Sequence, residues 1–400
     1  MNITFVGGFG FRPKGTIQGR AFPIAAQLVR LGHQVTILVT PYDNPAESGK
    51  EWEEEGVRIR GLKAGAGRLG YPALLARLLA ALDANGSDLV HIYKPKGFAG
   101  AAGAYLRMRG WNNVVLDCDD WEGWGGFNDI KPYPWILKEY IDRQERSMMR
   151  SSPAVTVASR SLLDRVQEVR GTSSGVYYVP NCGASAGNSL AHDAVRAQSP
   201  EDTKRELGLD PRQKVIFYNG HFEPGDDIML FCRIAAPVAQ RNDTALLFVG
   251  EGPDLPKVQE YFVQHPEVRV YFWPRLPYDQ FVRAIWASDI TAFPYPDNPI
   301  HRSKCSLRVI DYMAMGKPVI TSAVGQNKEY IVDGESGILA PAEDEAGFAQ
   351  KLELLLRDAE LRMRLGKNAE QRRREKFSWS GEPMRECLAA YHQITASAGR

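Results

Sequence analysis

Residues 305–321 read CSLRVIDYMAMGKPVIT. Leu307, Val309, Ile310, Met313 and Ala314 fall on one broad face at helical spacing, and Gly316 stands where a helix stops. The next run, KPVITS (317–322), reads as a buried strand. A short helix handing over to such a strand is one step of a strand–helix–strand repeat, the unit of a parallel sheet. Asp311 is the only charge from Val309 to Met315. A carboxylate in that setting needs a partner or a ligand.

The same unit repeats in both directions. NITFVGG (2–8) and HQVTILVT (33–40) enclose RAFPIAAQLVRLG, helical in spacing and closed by Gly32. DLVHIY (88–93) and NVVLD (113–117) enclose FAGAAGAYLRMRG, and PAVTVAS (153–159) and VYYVPN (176–181) complete the first set. Residues 183–212 are small, polar and turn-rich, with one short helix expected near 201–207. Alternation restarts with KVIFYNG (214–220), ALLFVG (245–250), VRVYFW (268–273), ITAFPY (290–295) and KPVITS. The expected fold is α/β. An N-terminal Rossmann-like domain covers 1–190, a linker 191–212 and a C-terminal Rossmann-like domain 213–380, with an amphipathic helix over 381–400. Open parallel sheets take ligands beyond the carboxyl ends of their strands, and two such edges facing across a cleft make room for two substrates.

Length and composition agree with this layout. Four hundred residues suit two domains, and a net charge of +1 gives no general attraction to nucleic acid or to an anionic surface. Five cysteines, at 118, 182, 232, 305 and 387, form no CxxC pair and read as reduced thiols. MNITFVGGFG lacks the features of a signal peptide. The most apolar stretch, YPALLARLLAALDANG (71–86), is interrupted by Arg77 and ends at Asp83, which favours a core-facing helix over a membrane span. Surface adsorption stays open. The expectation is a soluble cytoplasmic protein.

Ahead of the helix at 307 lies HRSKC (301–305). Unpaired N–H groups and the helix dipole draw anions to such an entrance, here opened by Ser306 and Leu307. Arg302, Lys304 and Arg308 would reinforce that attraction for a diphosphate. Asp311, one turn deeper, can accept two hydrogen bonds from the vicinal hydroxyls of a ribose. The competing reading is an internal Arg308–Asp311 ion pair at i,i+3.

The run SLRVIDYMAMGKPVI, followed by Gly325, Glu329 and DGESGIL (333–339), resembles the donor-binding segment of retaining GT-B-type glycosyltransferases, group 1. That large family includes sucrose-phosphate synthases and mannosyltransferases. The likeness covers most of the chain. GRAFPIAAQLVRLGHQVT (19–36) is similar to the family's first helix and second strand, VPN (179–181) to its strand before the linker, and LFVGEGP (247–253) to a glycine turn lining the donor site. KFSW (376–379) is similar to the start of a last helix that packs back on the first domain. The resemblance implies a GT-B fold with two Rossmann-like domains facing an interdomain cleft. It also implies sugar transfer from a nucleotide-diphosphate sugar, with retention, to a small-molecule, glycan or lipid-linked acceptor. Asp311 and Arg308 match the ribose-holding acid and the basic residue three positions earlier. Gly220, His221, Gly250, Glu251, Arg275 and Leu276 complete the implied donor set. Neither cofactor nor metal is expected; peripheral membrane contact stays open.

Departures from the family pattern bear on mechanism. His221 and Asp226 stand where an arginine and a lysine usually clamp the diphosphate, and a carboxylate there is repulsive. Ser303 occupies a position often held by glutamate, eight residues before Asp311. Where a histidine commonly follows the strand at 113–117 this chain has DCDDWEGWGG, with Asp119 most nearly at that place and Asp120 beside it. Such a carboxylate would stabilise an oxocarbenium-like sugar or orient an acceptor hydroxyl; a helix cap or loop ion pair is the alternative. A metal reading of DCDD ranks below both. In GGFGFRPKGTIQG (7–19) Pro13 replaces the third glycine of a dinucleotide fingerprint, and no acid closes the next strand, so a nicotinamide enzyme is disfavoured. Arg12, Lys14 and Gly15 are the acceptor or phosphate candidates of this loop. Trp121, Trp124, Phe127, Tyr133 and Trp135 offer flat rings for stacking or for ordinary packing. An epimerase or phosphorylase of the same fold and a weakened nucleotide-sugar-binding protein are the alternative functions.

Overall fold

The computed structural model describes every residue except 13–14, 66–69, 184–185, 224–227 and 399–400, with side chains also left out at 84, 186–190 and 397–398. Two compact units result. Met1–Ser185, Ser303–Cys305 and Ser378–Arg400 form the first, and Ala186–Arg302 and Ser306–Phe377 the second.

The strands of the first unit are β1 (Asn2–Gly7), β2 (Gln34–Val39), β3 (Glu51–Glu54), β4 (Val57–Gly61), β5 (Leu89–Tyr93), β6 (Val114–Cys118), β7 (Ala154–Val157) and β8 (Val176–Tyr178). They make one sheet in the order β3-β4-β2-β1-β5-β6-β7-β8. All pairings are parallel except β3–β4. β5 and β6 are buried along their whole lengths, as strands covered by helices on both faces must be. The β3–β4 hairpin, within a stretch that carries no motif, turns through Glu55 (φ 48°) and Gly56 (φ 76°), the left-handed pair that a two-residue turn requires. Leu74 and Leu78 of the helix Gly70–Ala84 are buried in the core. The helix Glu382–Ala398 packs on β7 and β8, and its Tyr391 hydroxyl meets His91 Nδ1 at 2.8 Å.

The second unit holds β9 (Val215–His221), β10 (Ala245–Glu251), β11 (Val270–Trp273), β12 (Ile290–Phe293), β13 (Val319–Ser322) and β14 (Ile338–Ala340). Their order is β11-β10-β9-β12-β13-β14, all parallel. The turn-rich stretch expected as a linker is mostly helical. Ala186–Arg196 and Pro200–Glu206 are helices packed on the helix Tyr278–Ala287, so this segment folds with the second unit. Val195 and His192 are buried there. Two isolated contacts of that kind carry too little periodicity to be legible as a helix in advance. All five cysteines are buried, and none is paired in a disulfide. Among the described residues no helix is long and apolar enough to cross a membrane.

Candidate active site

In both sheets the order reverses beside the first strand of the unit, at β1/β5 and at β9/β12. The carboxyl ends of strands at such a point are where an open α/β sheet receives a ligand.

In the second unit, β9 ends at Gly220–His221 and β10 at Gly250–Glu251, in register with one another. Gly250 sits at φ 148°, and a Cβ there would lie 2.0 Å from the Gly220 carbonyl oxygen. Only glycine lets the two strand ends close this tightly. The turn is extended by the Arg275 amide, which donates to Glu251 at 3.3 Å, with Leu276 partly buried beside it. The helix following β12, Leu307–Ala314, buries Val309, Ile310, Tyr312, Met313 and Ala314 and leaves Leu307, Arg308 and Asp311 partly exposed. Ser306 is its N-cap without a side-chain capping bond.

Arg308 and Asp311 part company. The Arg308 guanidinium lies 4.2 Å from the Phe293 ring centroid and so close to Gly220 that a Cβ there would be 2.8 Å from it. Asp311 instead accepts a hydrogen bond from the Tyr278 hydroxyl at 3.3 Å, and that hydroxyl is 2.8 Å from His192 Nε2. Burial is the foremost influence on Asp311, outweighing the Tyr278 hydrogen bond and the charge of Arg373, and pushes its pKa up to about 7. His192, on the missed helix, is lowered to about 4, chiefly by burial and then by Arg373 and Arg196. A neutral imidazole can therefore orient the tyrosine that orients the acid. Sequence reading missed both His192 and Tyr278, because nothing local marks a tyrosine 33 positions upstream as the acid's partner.

The Asp311 shift has a stability consequence. An ordinary aspartate in an unfolded chain titrates near 3.9, so between there and about 7 the folded chain holds the extra proton. Stability is then fully present below pH 4 and declines as pH rises through 7. Asp311→Asn removes that decline. Its advantage over the parent chain should be near nil at pH 4 and grow to as much as about 4 kcal/mol at pH 8, at ~1.36 kcal/mol per pKa unit. Denaturant melts at both pH values measure it, and parallel pH profiles of the two chains would contradict it.

Other expected donor groups are placed differently. Arg302, exposed on the short helix Pro299–Ser303, is bound by Asp297 at 2.5 and 3.0 Å. Ser303–Cys305 fold with the first unit, where the Ser303 carbonyl accepts from Ser159 Oγ at 2.7 Å and the Cys305 carbonyl from Asn181 at 2.7 Å. Ser303 is thus fully buried, with its carbonyl engaged inside the first unit. Lys304 stands 5.8 Å over the Phe127 ring and helps hold Asp120 ionised. His221 is exposed at the end of β9. Asp226 lies outside the described residues.

In the first unit, Tyr93, Lys94 and Asp119 come together where β5 and β6 end. The Tyr93 hydroxyl donates to Asp119 Oδ2 at 2.5 Å. Lys94 adopts a left-handed backbone (φ 68°) and sets its ammonium 3.2 Å from Asp119, 2.6 Å from Asp120 and 3.3 Å from Glu122. A buried lysine held by this many carboxylates stays charged. Asp119 Oδ1 is buried and faces the Lys94 ammonium at 3.2 Å, with no further hydrogen bond among the described residues. Burial first, with Asp120 and Asp117 adding to it against Lys94, lifts the Asp119 pKa to about 6, whereas Lys94 overcomes burial to hold Asp120 low. Asp117 is engaged deeper in, by Arg20 at 2.7 Å. The carboxylates of DCDD therefore face cations. Lys94 was legible only as the lysine directly after a buried strand, in HIYKPK.

Two sequence candidates here are used by the fold itself. Trp121 carries Arg165 at 3.9 Å over its ring and abuts Gly125 and Gly126. Trp124 donates to Glu139 at 3.2 Å under Lys138. Both rings are partly buried and engaged by these neighbours, the packing alternative of the two read from the sequence. Arg12 pairs with Glu54 at 2.8 Å, and its amide and that of Phe11 are held by Glu47. Gly15 turns the loop at φ 72°; Lys14 lies outside the described residues.

Paired parallel α/β units with polar groups at their strand ends define the GT-B class of glycosyltransferases. Family models agree: residues 15–182 match the glycosyl transferase 4-like domain and 213–358 the glycosyl transferases group 1 domain. The chain belongs to that family of glycosyltransferases. It is 28% identical over 192 residues to the D-inositol 3-phosphate glycosyltransferase of Corynebacterium efficiens, covering 46% of this chain and 44% of that protein. The chain thus spans about half the length of the curated relatives it matches. Sucrose-phosphate synthase from Thermosynechococcus elongatus shares the fold at a TM-score of 0.73, 20% identity and 99% coverage of both chains. Anabaena HepE, solved with UDP and glucose, does so at 0.69, 14% and 99% of both.

Proposed function

We propose that this glycosyltransferase moves a sugar from a nucleotide-diphosphate sugar to an acceptor hydroxyl with retention of anomeric configuration. The observation that carries the reading is Asp311: a partly exposed acid, held by Tyr278, on the helix beside the β9/β12 reversal. Its carboxylate would take the ribose hydroxyls, Arg308 and the helix entrance the diphosphate, and the β9 and β10 glycine turns the approach of the donor. In the first unit, Asp119 is a buried carboxylate whose Oδ1 faces Lys94 at 3.2 Å and accepts no further hydrogen bond among the described residues, suited to orienting an acceptor hydroxyl or to meeting positive charge on the sugar. Retention follows if the leaving phosphate takes the acceptor proton on the same face; neither step requires a cofactor. A uridine nucleotide is the first donor to try, since HepE was solved with UDP. Five buried reduced cysteines fit work in the cytoplasm.

Calorimetric titration with a panel of nucleotide sugars, followed by mass spectrometry of products formed with a host extract, tests the reading. Transfer of a hexose with retained configuration is expected. Binding without transfer or hydrolysis would favour a binding protein, and an isomerised nucleotide sugar an epimerase. Tyr278 is a positioning residue in this scheme. Tyr278→Phe should raise the donor KM about fivefold, the worth of one ~1 kcal/mol hydrogen bond, and leave kcat alone. A fall in kcat at unchanged KM would contradict that role.

A further inference from the structure

The aromatic stretch after β6 divides into two parts. Trp121, Trp124 and Phe127 are packed within the unit, but from Ile130 onward the apolar side chains face solvent. Of the fourteen large hydrophobics exposed among the described residues, six lie between Ile130 and Tyr140. Trp135 is 68% exposed, Ile136 75% and Tyr140 51%. Such density is rare on a surface that meets only water.

These residues open the helix Trp135–Ser151, whose other face buries Ile141, Gln144, Glu145, Met148 and Met149. Ile136, Tyr140, Arg143, Ser147 and Arg150 follow one another at four- and three-residue steps, so they share its outer face. Along that face the character changes from apolar to basic: Trp135, Ile136, Leu137 and Tyr140 come first, then the exposed Arg143, Arg146 and Arg150. Arg107, from the neighbouring helix Gly97–Met108, joins them by donating to Ser147 Oγ at 3.2 Å. Together they line a groove of about 360 Å³ between the two helices. The acids nearby offset only part of this charge. Glu139 holds Arg143 at 2.7 Å, and the buried Asp142 stands 4.0 Å from Arg146 while accepting from the Trp124 amide.

We propose that this face docks the protein on an anionic lipid bilayer. Trp135, Ile136 and Leu137 enter the boundary between headgroups and acyl chains, Tyr140 lies at its edge, and the arginine groove takes lipid phosphates. The choice of occupant rests on charge and layout. An aromatic–aliphatic end followed on one helix face by clustered arginines matches the apolar-then-phosphate layering of a bilayer surface. An acidic protein partner would have to reproduce both layers. The inference stands apart from the sugar-transfer reading, because it uses none of the strand-end residues.

Co-sedimentation of the full chain with phosphatidylcholine vesicles, with and without phosphatidylglycerol, tests it. Binding is expected only to the anionic vesicles and should be lost at high salt, where screening shortens to about 3 Å. Replacing Arg143, Arg146 and Arg150 together by glutamine should weaken partition roughly 100-fold, at about fivefold per arginine. Trp135→Ser with Ile136→Ser should weaken it roughly tenfold or more. All five positions are exposed, so the fold should survive; circular dichroism and thermal melts of the variants report on that. No binding to anionic vesicles overturns the proposal. So does binding that ignores these substitutions, or a dimer in light scattering that the Trp135→Ser, Ile136→Ser variant dissociates.

Discussion

Asp311→Ala should lower affinity for the nucleotide-sugar donor by roughly 150-fold, about 3 kcal/mol, while the chain stays folded. The size follows from what is removed: a charged acceptor able to take two ribose hydrogen bonds, each worth about 1.5 kcal/mol or more to an ionised group. Folding should not suffer. The carboxylate is partly exposed and its pKa is held high by burial, with Tyr278 its one hydrogen-bond partner among the described residues, so its loss relieves a desolvated charge. The same acid that limits stability at neutral pH is thus the one assigned to the ligand, a common trade at binding sites. Calorimetry on Asp311→Ala, with circular dichroism as the folding control, decides the matter. Unchanged donor affinity would remove the ribose role and, with it, the donor geometry argued from the helix at 307.

Asp119→Asn should cost roughly 100- to 1,000-fold in kcat at unchanged donor affinity. Lys94 keeps Asp120 and Glu122 as partners in the variant, and Tyr93 can still donate to the amide oxygen. What disappears is the negative charge that faces Lys94 at 3.2 Å. Only the ionised carboxylate can meet positive charge on a reacting sugar, so parent activity should fall as pH drops below about 6, where Asp119 takes up its proton. The variant's residual activity should lack that limb. Single-turnover rates across pH separate the two chains, and a fully active Asp119→Asn enzyme would leave the carboxylate a structural partner of Lys94.

Much of this was open to reading in the amino-acid order. Buried β-branched runs such as NITFVGG and ALLFVG, spaced by helical segments, admit a parallel sheet and little else. The weakly patterned pieces were illegible for the same reason. The β3–β4 hairpin is charged at alternate positions on a sheet edge, and the helix Ala186–Arg196 owes its place to contacts with a helix some ninety residues on. Asp311 could be singled out because a lone acid in apolar surroundings is costly wherever it lies, and Asp119 by its place in the family resemblance.

Sequence alone determined the two α/β units, the helix that bears Asp311 and the acids that follow β6, since hydrophobic periodicity is a local property of the chain. Tertiary structure decided which charges remain available to a ligand. It gave Arg302 to Asp297, drew Ser303–Cys305 into the first unit, set Lys94 among three carboxylates and joined Asp311 to Tyr278. Partners of that kind are fixed by distance in space, and charge interactions fall off over a few ångströms whatever the separation along the chain.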